Sequence, residues 1–371
     1  MIRLTRPEIE GAIEAVKSVL QDGFLVQGKR VLQFETMVAS YVGRGHAVAV
    51  SSGTSAIQCA LTALGIGEGD EVILPDFTFP ATANAVVASG AVPVLADIDL
   101  ATFNLDVEEV RAKLSPKTRA VMPVDLFGLA ADMAAIGSVA SRGRLTVIED
   151  SACALGSAAG GRRCGSFGEA SVISFHPRKI VTTGEGGMVL TDNEAWANQV
   201  RRLRNHGIDT TRGITEFVLA GYNLRMNEIE ACLGIVQMEQ IADLVEKRRR
   251  VARIYDRLLA EVDEIASPVE PSGYFHTYQS YVVLVDSKID RDRLIAAMKA
   301  DGVETAIGTY AIHLQPFYRD KYGYRPGSFP QSSHAFKHSL ALPIYPSMGE
   351  ETVAQVTASL KKCLRQAAAG R

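Results

Sequence analysis

Lys179 stands in surroundings that suit covalent chemistry. It follows an apolar run that ends near Ser174 and precedes the glycine-rich stretch 184–187 (GEGG). A lysine in such a turn can point into a cleft, where partial burial and neighbouring cations lower the pKa of its amine. The neutral amine is then a nucleophile for an aldehyde carbon. A solvated loop lysine is the alternative, and for any lysine taken singly it is the more common situation.

A second motif, Ser-Ser-Gly-Thr-Ser at residues 51–55, stands between an apolar run and an amphipathic one. Backbone N–H groups at a helix start attract an anion, and Gly53 would let the chain approach it closely. The hydroxyls of Thr54 and Ser55 add donors, so the motif predicts a phosphate site. An ordinary helix N-cap is the alternative interpretation.

A third candidate, Asp150, ends the apolar run LTVIED. A carboxylate there can pair with a protonated ring nitrogen, although helix capping or an ion pair with arginine would also explain it. Ser174 lies close enough to Lys179 in sequence to donate to the same phosphate. The order of anion cradle, acid and lysine suits a cofactor that carries a phosphate, a ring nitrogen and an aldehyde.

These motifs lie on a predicted alternation of strands and helices. Runs rich in Val and Ile predict seven strands, at 46–52, 71–75, 92–98, 120–126, 145–150, 170–175 and 188–191. The helical stretches between them favour a mostly parallel sheet that is covered on both faces. Such sheets hold their ligands at the carboxyl ends of the strands. The polar residues at those ends are Ser52, Asp76, Asp125, Asp150 and His176.

The second half of the chain predicts a smaller unit. Residues 223–260 are helical in pattern, and a strand near 280–285 with helices near 290–300 and 351–367 follows. We therefore expect an α/β protein with a large domain over residues 1–245 and a small C-terminal α/β domain over residues 246–371. The N-terminal segment can pack on the small domain.

The composition excludes several classes of protein. Hydrophobic residues make up 47% and charged residues 22%, and the formal net charge is −3, which is typical of a soluble globular protein without a nucleic-acid or anionic-membrane partner. Five widely spaced cysteines without a CxxC motif argue against a disulfide framework or a metal site. Residues 1–10 lack the apolar stretch of a signal peptide, and no apolar run has membrane-spanning length. We predict a cytoplasmic protein.

Several segments, in this order along the chain, resemble the DegT/DnrJ/StrS family of sugar aminotransferases. They are SSGTSA (51–56), PDFTFPATANAV (75–86), VIEDSACALGS (147–157), SFHPRKIVTTGEGG (174–187), GYNLRMNEIEA (221–231) and LPIYP (342–346). The fourth is the most specific, and the resemblance covers nearly the whole chain. It implies the fold-type-I aspartate aminotransferase architecture.

The resemblance implies that Lys179 carries pyridoxal 5'-phosphate (PLP) as an internal aldimine and that Asp150 bonds the pyridinium nitrogen. It also implies further cofactor contacts. The phosphate ligands would be Gly53, Thr54 or Ser55, Ser174 and, from the neighbouring subunit of a homodimer with shared active sites, Asn223. Phe79 would stack on the ring. The alternatives are a core position for Phe79 and a helix N-cap for Asn223.

The resemblance further implies amino transfer from L-glutamate to a nucleotide-linked keto-deoxysugar, with Lys179 moving the proton. Candidate substrate contacts are Phe24, Leu25, Gln27, Tyr310, His313 and Gln315, and the alternative for each is a purely structural place, such as a packed aromatic or a capped histidine. The alternatives are a PLP-dependent dehydratase, a cyclitol or aromatic amine-forming enzyme, or a non-catalytic regulatory homologue. Cys153, where the family often has Gln or His, is interpreted as a small packing residue. Asp125 is assigned no catalytic role.

Overall fold

The computed structural model describes residues 1–9 and 11–369. Seven strands form its central sheet. They are β1 (His46–Val50), β2 (Glu71–Pro75), β3 (Val92–Ala96), β4 (Thr118–Val121), β5 (Thr146–Asp150), β6 (Ala170–Ser174) and β7 (Gly187–Thr191). The order across the sheet is β1-β7-β6-β5-β4-β2-β3. β7 is antiparallel to both of its neighbours and the other pairs are parallel, which confirms the predicted mostly parallel sheet.

Helices cover both faces of this sheet. They are α1 (Ala12–Asp22), α2 (Lys29–Val42), α3 (Gly53–Ala63), α4 (Ala81–Ala88), α5 (Val107–Ala112), α6 (Met133–Gly143), α7 (Glu194–Leu203) and α8 (Glu228–Met238). Successive strand residues point to opposite faces. Val48 and Val50 accordingly pack with α3, α4 and α7, whereas Ala47 and Ala49 pack with α2 and α8.

The last third of the chain forms the predicted smaller α/β unit. Its antiparallel sheet contains β8 (Ile265–Ala266), β9 (Tyr281–Val285), β10 (Ala306–Ile307) and β11 (Ser339–Leu342), in the order β8-β9-β11-β10. The helices of this region are α9 (Ile241–Leu259), α10 (Arg291–Ala300), α11 (Pro316–Tyr322), α12 (Pro330–His338) and α13 (Glu350–Ala369). The N-terminal segment lies against this unit, because the carbonyl of Leu4 accepts the N–H of Ile344 at 3.0 Å.

Helix α9 runs through the boundary that we predicted between residues 245 and 246. Val245 packs with the helices of the large sheet, whereas Val251 and Tyr255 pack in the core of the small unit. One continuous helix therefore belongs to both cores. No helix in the described ranges combines the length and the apolar character that a membrane span requires.

Short two-residue strands and 3-10 turns complete the connections. The strands are Phe77–Thr78, Ala158–Ala159, Arg162–Arg163, Ile208–Asp209, Glu216–Phe217, Tyr274–Phe275 and Tyr310–Ala311, and the turns are Leu126–Gly128 and Ile312–Leu314. Tyr310–Ala311 pairs with Phe77–Thr78, directly after β2. This pairing brings a segment of the C-terminal third to the carboxyl edge of the large sheet.

Candidate active site

Asp150 is the last residue of β5 and lies at the carboxyl edge of the parallel strands. Its side chain is buried. One carboxylate oxygen accepts the hydroxyl of Thr82 at 2.8 Å, and the other accepts the N–H of Ala152 at 3.2 Å. Burial raises the pKa of this carboxyl group, while the two hydrogen bonds and the charge of Lys179 act in the opposite direction.

Lys179 lies in a turn at the same edge. Its N–H donates to the carbonyl of His176 at 2.8 Å, which closes the turn after β6. The ε-amine donates to Cys153 Sγ at 2.9 Å. The interpretation of Cys153 as a packing residue is therefore incomplete, because its thiol touches the proposed catalytic amine.

The glycine-rich stretch after Lys179 has a steric cause. Gly187 begins β7 beside the start of α3, and a side chain there would overlap the carbonyl of Ser52. The segment can thus return alongside β1 only where no Cβ is present. The close return places the lysine turn next to the helix that carries the predicted phosphate motif.

The start of α3 forms the predicted anion cradle. Ser52 caps the helix by accepting the N–H of Ser55 at 3.1 Å, and the hydroxyl of the buried Ser55 lies 2.9 Å from that of Ser52. A Cβ on Gly53 would stand 2.8 Å from the Cβ of Ser174. Gly53 and Ser174 therefore lie close together at the sheet edge, as binding of one common ligand requires. The side chain of Thr54 is more accessible than that of Ser55.

Two aromatic side chains stand at the mouth of this edge. Phe79 is 62% exposed, so the alternative that it is a core residue is wrong. Tyr310 is 37% exposed, and its ring centroid lies 6.4 Å from that of Phe79 in an edge-on arrangement. The pairing of Tyr310 with Thr78 positions this contact. Both rings are available to a planar ligand.

Gln27 lies in the loop between α1 and α2. It has a left-handed backbone (φ 53°), and its side-chain amide donates to the carbonyl of Met226 at 3.4 Å. Phe24 and Leu25 of the same loop are exposed, and the carbonyl of Leu25 accepts the N–H of Glu228. The loop is thus attached to the start of α8.

Asn223 is exposed and precedes α8 without capping it. The cap is Asn227, whose side chain accepts the N–H of Glu230 at 2.8 Å while the Glu230 carboxylate accepts the N–H of Asn227 at 3.0 Å. The alternative of Asn223 as an N-cap is therefore wrong. The next residue, Leu224, accepts the N–H of Ser51 at 2.9 Å, so Asn223 lies beside the phosphate motif of its own chain.

His313 does not face the candidate site as we expected for a substrate contact. Its side chain is fully buried, and Nδ1 lies 2.6 Å from a carboxylate oxygen of Asp76 while Nε2 lies 3.3 Å from the hydroxyl of Ser333. Both ring nitrogens are used within the protein. The neighbouring candidate Gln315 donates to the carbonyl of Ala311 at 3.0 Å.

A second group of acids lies behind the sheet edge. Asp125, Glu149 and Cys164 are buried, with their ligand atoms within 4.8 Å of one another. Glu149 accepts the N–H groups of Gly165 and Phe167, each at 2.8 Å. Burial and the charge of Asp125 raise the pKa of Glu149 well above its usual value, and burial also raises the pKa of Asp125.

Sequence reasoning did not identify Thr82 or the contact of Cys153 with Lys179. Thr82 lies one helical turn after Phe79, within the segment 75–86 that carried the resemblance. Only that shared segment could have indicated it, since a threonine in a helix has many structural uses. The Cys153 contact joins two loops and has no local sequence signal.

Comparisons with known proteins identify the family of this chain. The model of the DegT/DnrJ/EryC1/StrS aminotransferase family matches residues 7–361. The spore coat polysaccharide biosynthesis protein SpsC of Bacillus subtilis is 36% identical, over 96% of this chain and 95% of that protein. The GDP-perosamine synthase of Caulobacter vibrioides is 40% identical, over 78% and 79%.

A solved structure gives the same result for the fold. The aminotransferase TlmJ from Streptoalloteichus hindustanus superimposes with a TM-score of 0.92 at 33% identity, over 99% of both chains. The matched range of the family model, residues 7–361, extends through both sheets and includes the Asp150 and Lys179 segments. The chain is therefore an enzyme of the DegT/DnrJ/EryC1/StrS aminotransferase family.

Proposed function

We propose that this protein transfers an amino group from L-glutamate to a nucleotide-linked keto-deoxysugar, with PLP held on Lys179. The observation that carries the proposal is the meeting of Lys179, Asp150 and the Gly53–Ser174 cradle at one edge of the sheet. Each part matches a different group of the cofactor. The family to which the chain belongs is one of PLP-dependent aminotransferases.

The residues fit PLP in three places. The start of α3 offers backbone N–H groups without intrahelical partners, beside Thr54 and Ser174, to the phosphate. Asp150 offers an acceptor to the ring nitrogen, and the hydroxyl of Thr82 fixes its orientation. The exposed face of Phe79 offers a stacking surface. PLP, when bound, supplies an electron-withdrawing ring that stabilises negative charge at the substrate carbon.

Lys179 has two tasks in this proposal. Its ε-amine would hold PLP through the aldehyde carbon, whose oxygen leaves as water, and once the donor's amine replaces it the lysine would hold and move a proton as general base and acid. Asp150 supports both tasks, because its carboxylate keeps a proton on the ring nitrogen opposite. Asp150 is buried, and burial strengthens the interaction of a carboxylate with an opposite charge.

The acceptor class rests on the relatives. GDP-perosamine synthase acts, by its name, in making a nucleotide-linked amino sugar. Tyr310 and Gln27 are the side chains that we assign to the sugar end. His313 is left out of this assignment because its ring is buried.

The site is proposed to be completed in a homodimer in the cytoplasm. Large apolar side chains are exposed around Asn223, and exposed apolar surface of this kind commonly marks a protein interface. They are Phe24, Leu25, Phe217, Val218 and Tyr222. A second subunit packed there would bring Asn223 toward the neighbouring phosphate site. The five free cysteines suit a reducing compartment.

The test begins with the donor half of the reaction. Incubation of the PLP-loaded protein with L-glutamate should shift the visible absorbance of the cofactor and release 2-oxoglutarate. Nucleotide-linked keto-sugars are then screened by mass spectrometry for a product that gains nitrogen. A product that loses oxygen without gaining nitrogen would favour the dehydratase alternative. Absence of any absorbance change with all amino donors would refute amino transfer.

A further inference from the structure

Cys153 is the accessible thiol of this protein. Cys59, Cys164, Cys232 and Cys363 are buried, whereas Cys153 is half-buried at the sheet edge. Its sulfur is the hydrogen-bond partner of the Lys179 amine, at 2.9 Å, and within the described ranges no carboxylate lies within 4.0 Å of that amine. The contact links the one reachable thiol to the proposed catalytic lysine.

The turn that carries Cys153 also carries Asp150. The N–H of Ala152 donates to the Asp150 carboxylate at 3.2 Å, and the N–H of Ala154 donates to the carbonyl of Ser151 at 2.9 Å. Ala154 is fully buried, which anchors the far end of the turn. The thiol is therefore held in a defined place relative to the acid that would face the ring nitrogen.

Packing alone does not explain a cysteine here. Ala152 and Ala154 flank it, so the turn already accommodates side chains without a polar atom. Cysteine is among the residues most often fully buried, yet this one keeps part of its surface open next to an amine. A thiol is a weak donor and a weak acceptor, so it can bond the amine in either protonation state.

We propose that Cys153 is a positioning residue for Lys179, whose thiol holds the ε-amine whenever the lysine is not linked to the cofactor. The inference rests on the proposed function. The four-carbon side chain of lysine samples many rotamers, and a fixed partner at its end restricts them. The amine then stays within reach of the cofactor carbon, both when PLP is first captured and when the proton is moved between carbons. Cys153 itself forms no bond to the substrate.

The test measures capture of PLP by the cofactor-free protein, which requires neither glutamate nor sugar. The rate of the visible absorbance change is compared for wild type, Cys153→Ala and Cys153→Ser. Borohydride reduction and peptide mass spectrometry then verify attachment at Lys179. We expect capture to slow about tenfold in the alanine variant, because the amine loses its orientation. The serine variant, which keeps a donor and an acceptor, should stay within about threefold of wild type.

A second readout separates orientation from binding. In the glutamate half-reaction, Cys153→Ala should lower the limiting rate constant, while the glutamate concentration that gives half of this rate stays near its wild-type value. Cys153→Ser should restore the rate constant. Equal urea midpoints for the three proteins would exclude a folding defect as the cause. Labelling with iodoacetamide supplies a chemical control, since it should modify Cys153 in the native protein and slow PLP capture.

Two results would overturn the inference. One is capture and kcat at the wild-type level in Cys153→Ala, and the other is a serine variant as slow as the alanine variant. Failure of the wild type to capture PLP at Lys179 is a different outcome. It would refute the proposed function, on which the inference depends, and so the two failures can be told apart.

Discussion

Asp150 and Asp76 occupy equivalent places and have different partners. Asp150 ends β5 and Asp76 directly follows β2 at the same sheet edge, both are buried, and burial raises the pKa of each. Asp76 accepts the backbone N–H of His313 at 2.7 Å and lies 2.6 Å from its ring. Asp150 has a hydroxyl and an amide as partners, and the charge of Lys179 nearby. A position at a strand end thus makes a carboxylate a candidate for function. The hydrogen-bond partners of that carboxylate decide whether it remains available to a ligand.

The largest expected effect comes from Lys179→Ala, which removes the base from the Asp150 side of the comparison. We expect kcat for amino transfer to fall by at least about 10³-fold, because a general acid–base group and the covalent link are lost together. Mass spectrometry of the amino-sugar product measures the effect. Stability should change little, since the amine bonds only the half-buried Cys153. Residual activity above a tenth of wild type would contradict the assignment.

The Asp76 side is tested by His313→Ala. Removing one partner of a buried hydrogen-bonded pair should lower the free energy of unfolding by roughly 3 kcal/mol, as the Asp76 carboxyl loses the ring nitrogen that it contacts. Urea unfolding measures this change. The folded protein should still capture PLP at Lys179. Unchanged stability with a raised KM for the sugar would instead support the prediction that His313 contacts the substrate.

Asp150→Asn tests the same comparison from the catalytic side. The amide is similar in shape and can still accept from Thr82, so the fold should persist. The negative charge opposite the ring nitrogen is lost. We therefore expect the limiting rate constant of the glutamate half-reaction to fall about 10²-fold. Stopped-flow absorbance measures this rate. Asp76→Asn is the matched control, in which stability rather than this rate should change.

The smallest effect on amino transfer is expected from Glu149→Gln, since Glu149 is buried behind the sheet edge and bonds backbone N–H groups there. Its raised pKa means that the native state binds one more proton than the unfolded state above about pH 4.5. Its contribution to stability is present below that pH and is lost as the pH rises toward the native pKa. The glutamine variant should flatten the pH dependence of the unfolding free energy by up to about 1.4 kcal/mol per pH unit. Urea unfolding from pH 5 to pH 8 measures this slope, and identical slopes would contradict a raised pKa of Glu149.

Much of the fold could be predicted from sequence because its signals are local. Short apolar runs bounded by polar residues marked six of the seven strands of the large sheet within two residues of their observed ends. The fourth, predicted at 120–126, ends at Val121, because the chain turns there toward the 3-10 turn Leu126–Gly128. The start of α8 was less predictable. Asn223 and Asn227 are both plausible caps in sequence, and the capping box with Glu230 selects the second.

The sequence by itself determined the order in which the motifs follow the strands along the chain. It also identified Lys179 and Asp150, the two residues at the centre of the proposed chemistry. Their settings, a glycine-rich turn and the end of an apolar strand, are properties of short segments. Tertiary structure alone decided that His313 is bonded to Asp76, 237 residues away, and that Cys153 touches Lys179, 26 residues away. Those contacts depend on how the C-terminal segment and two loops pack against the sheet edge, and local sequence patterns do not encode that packing.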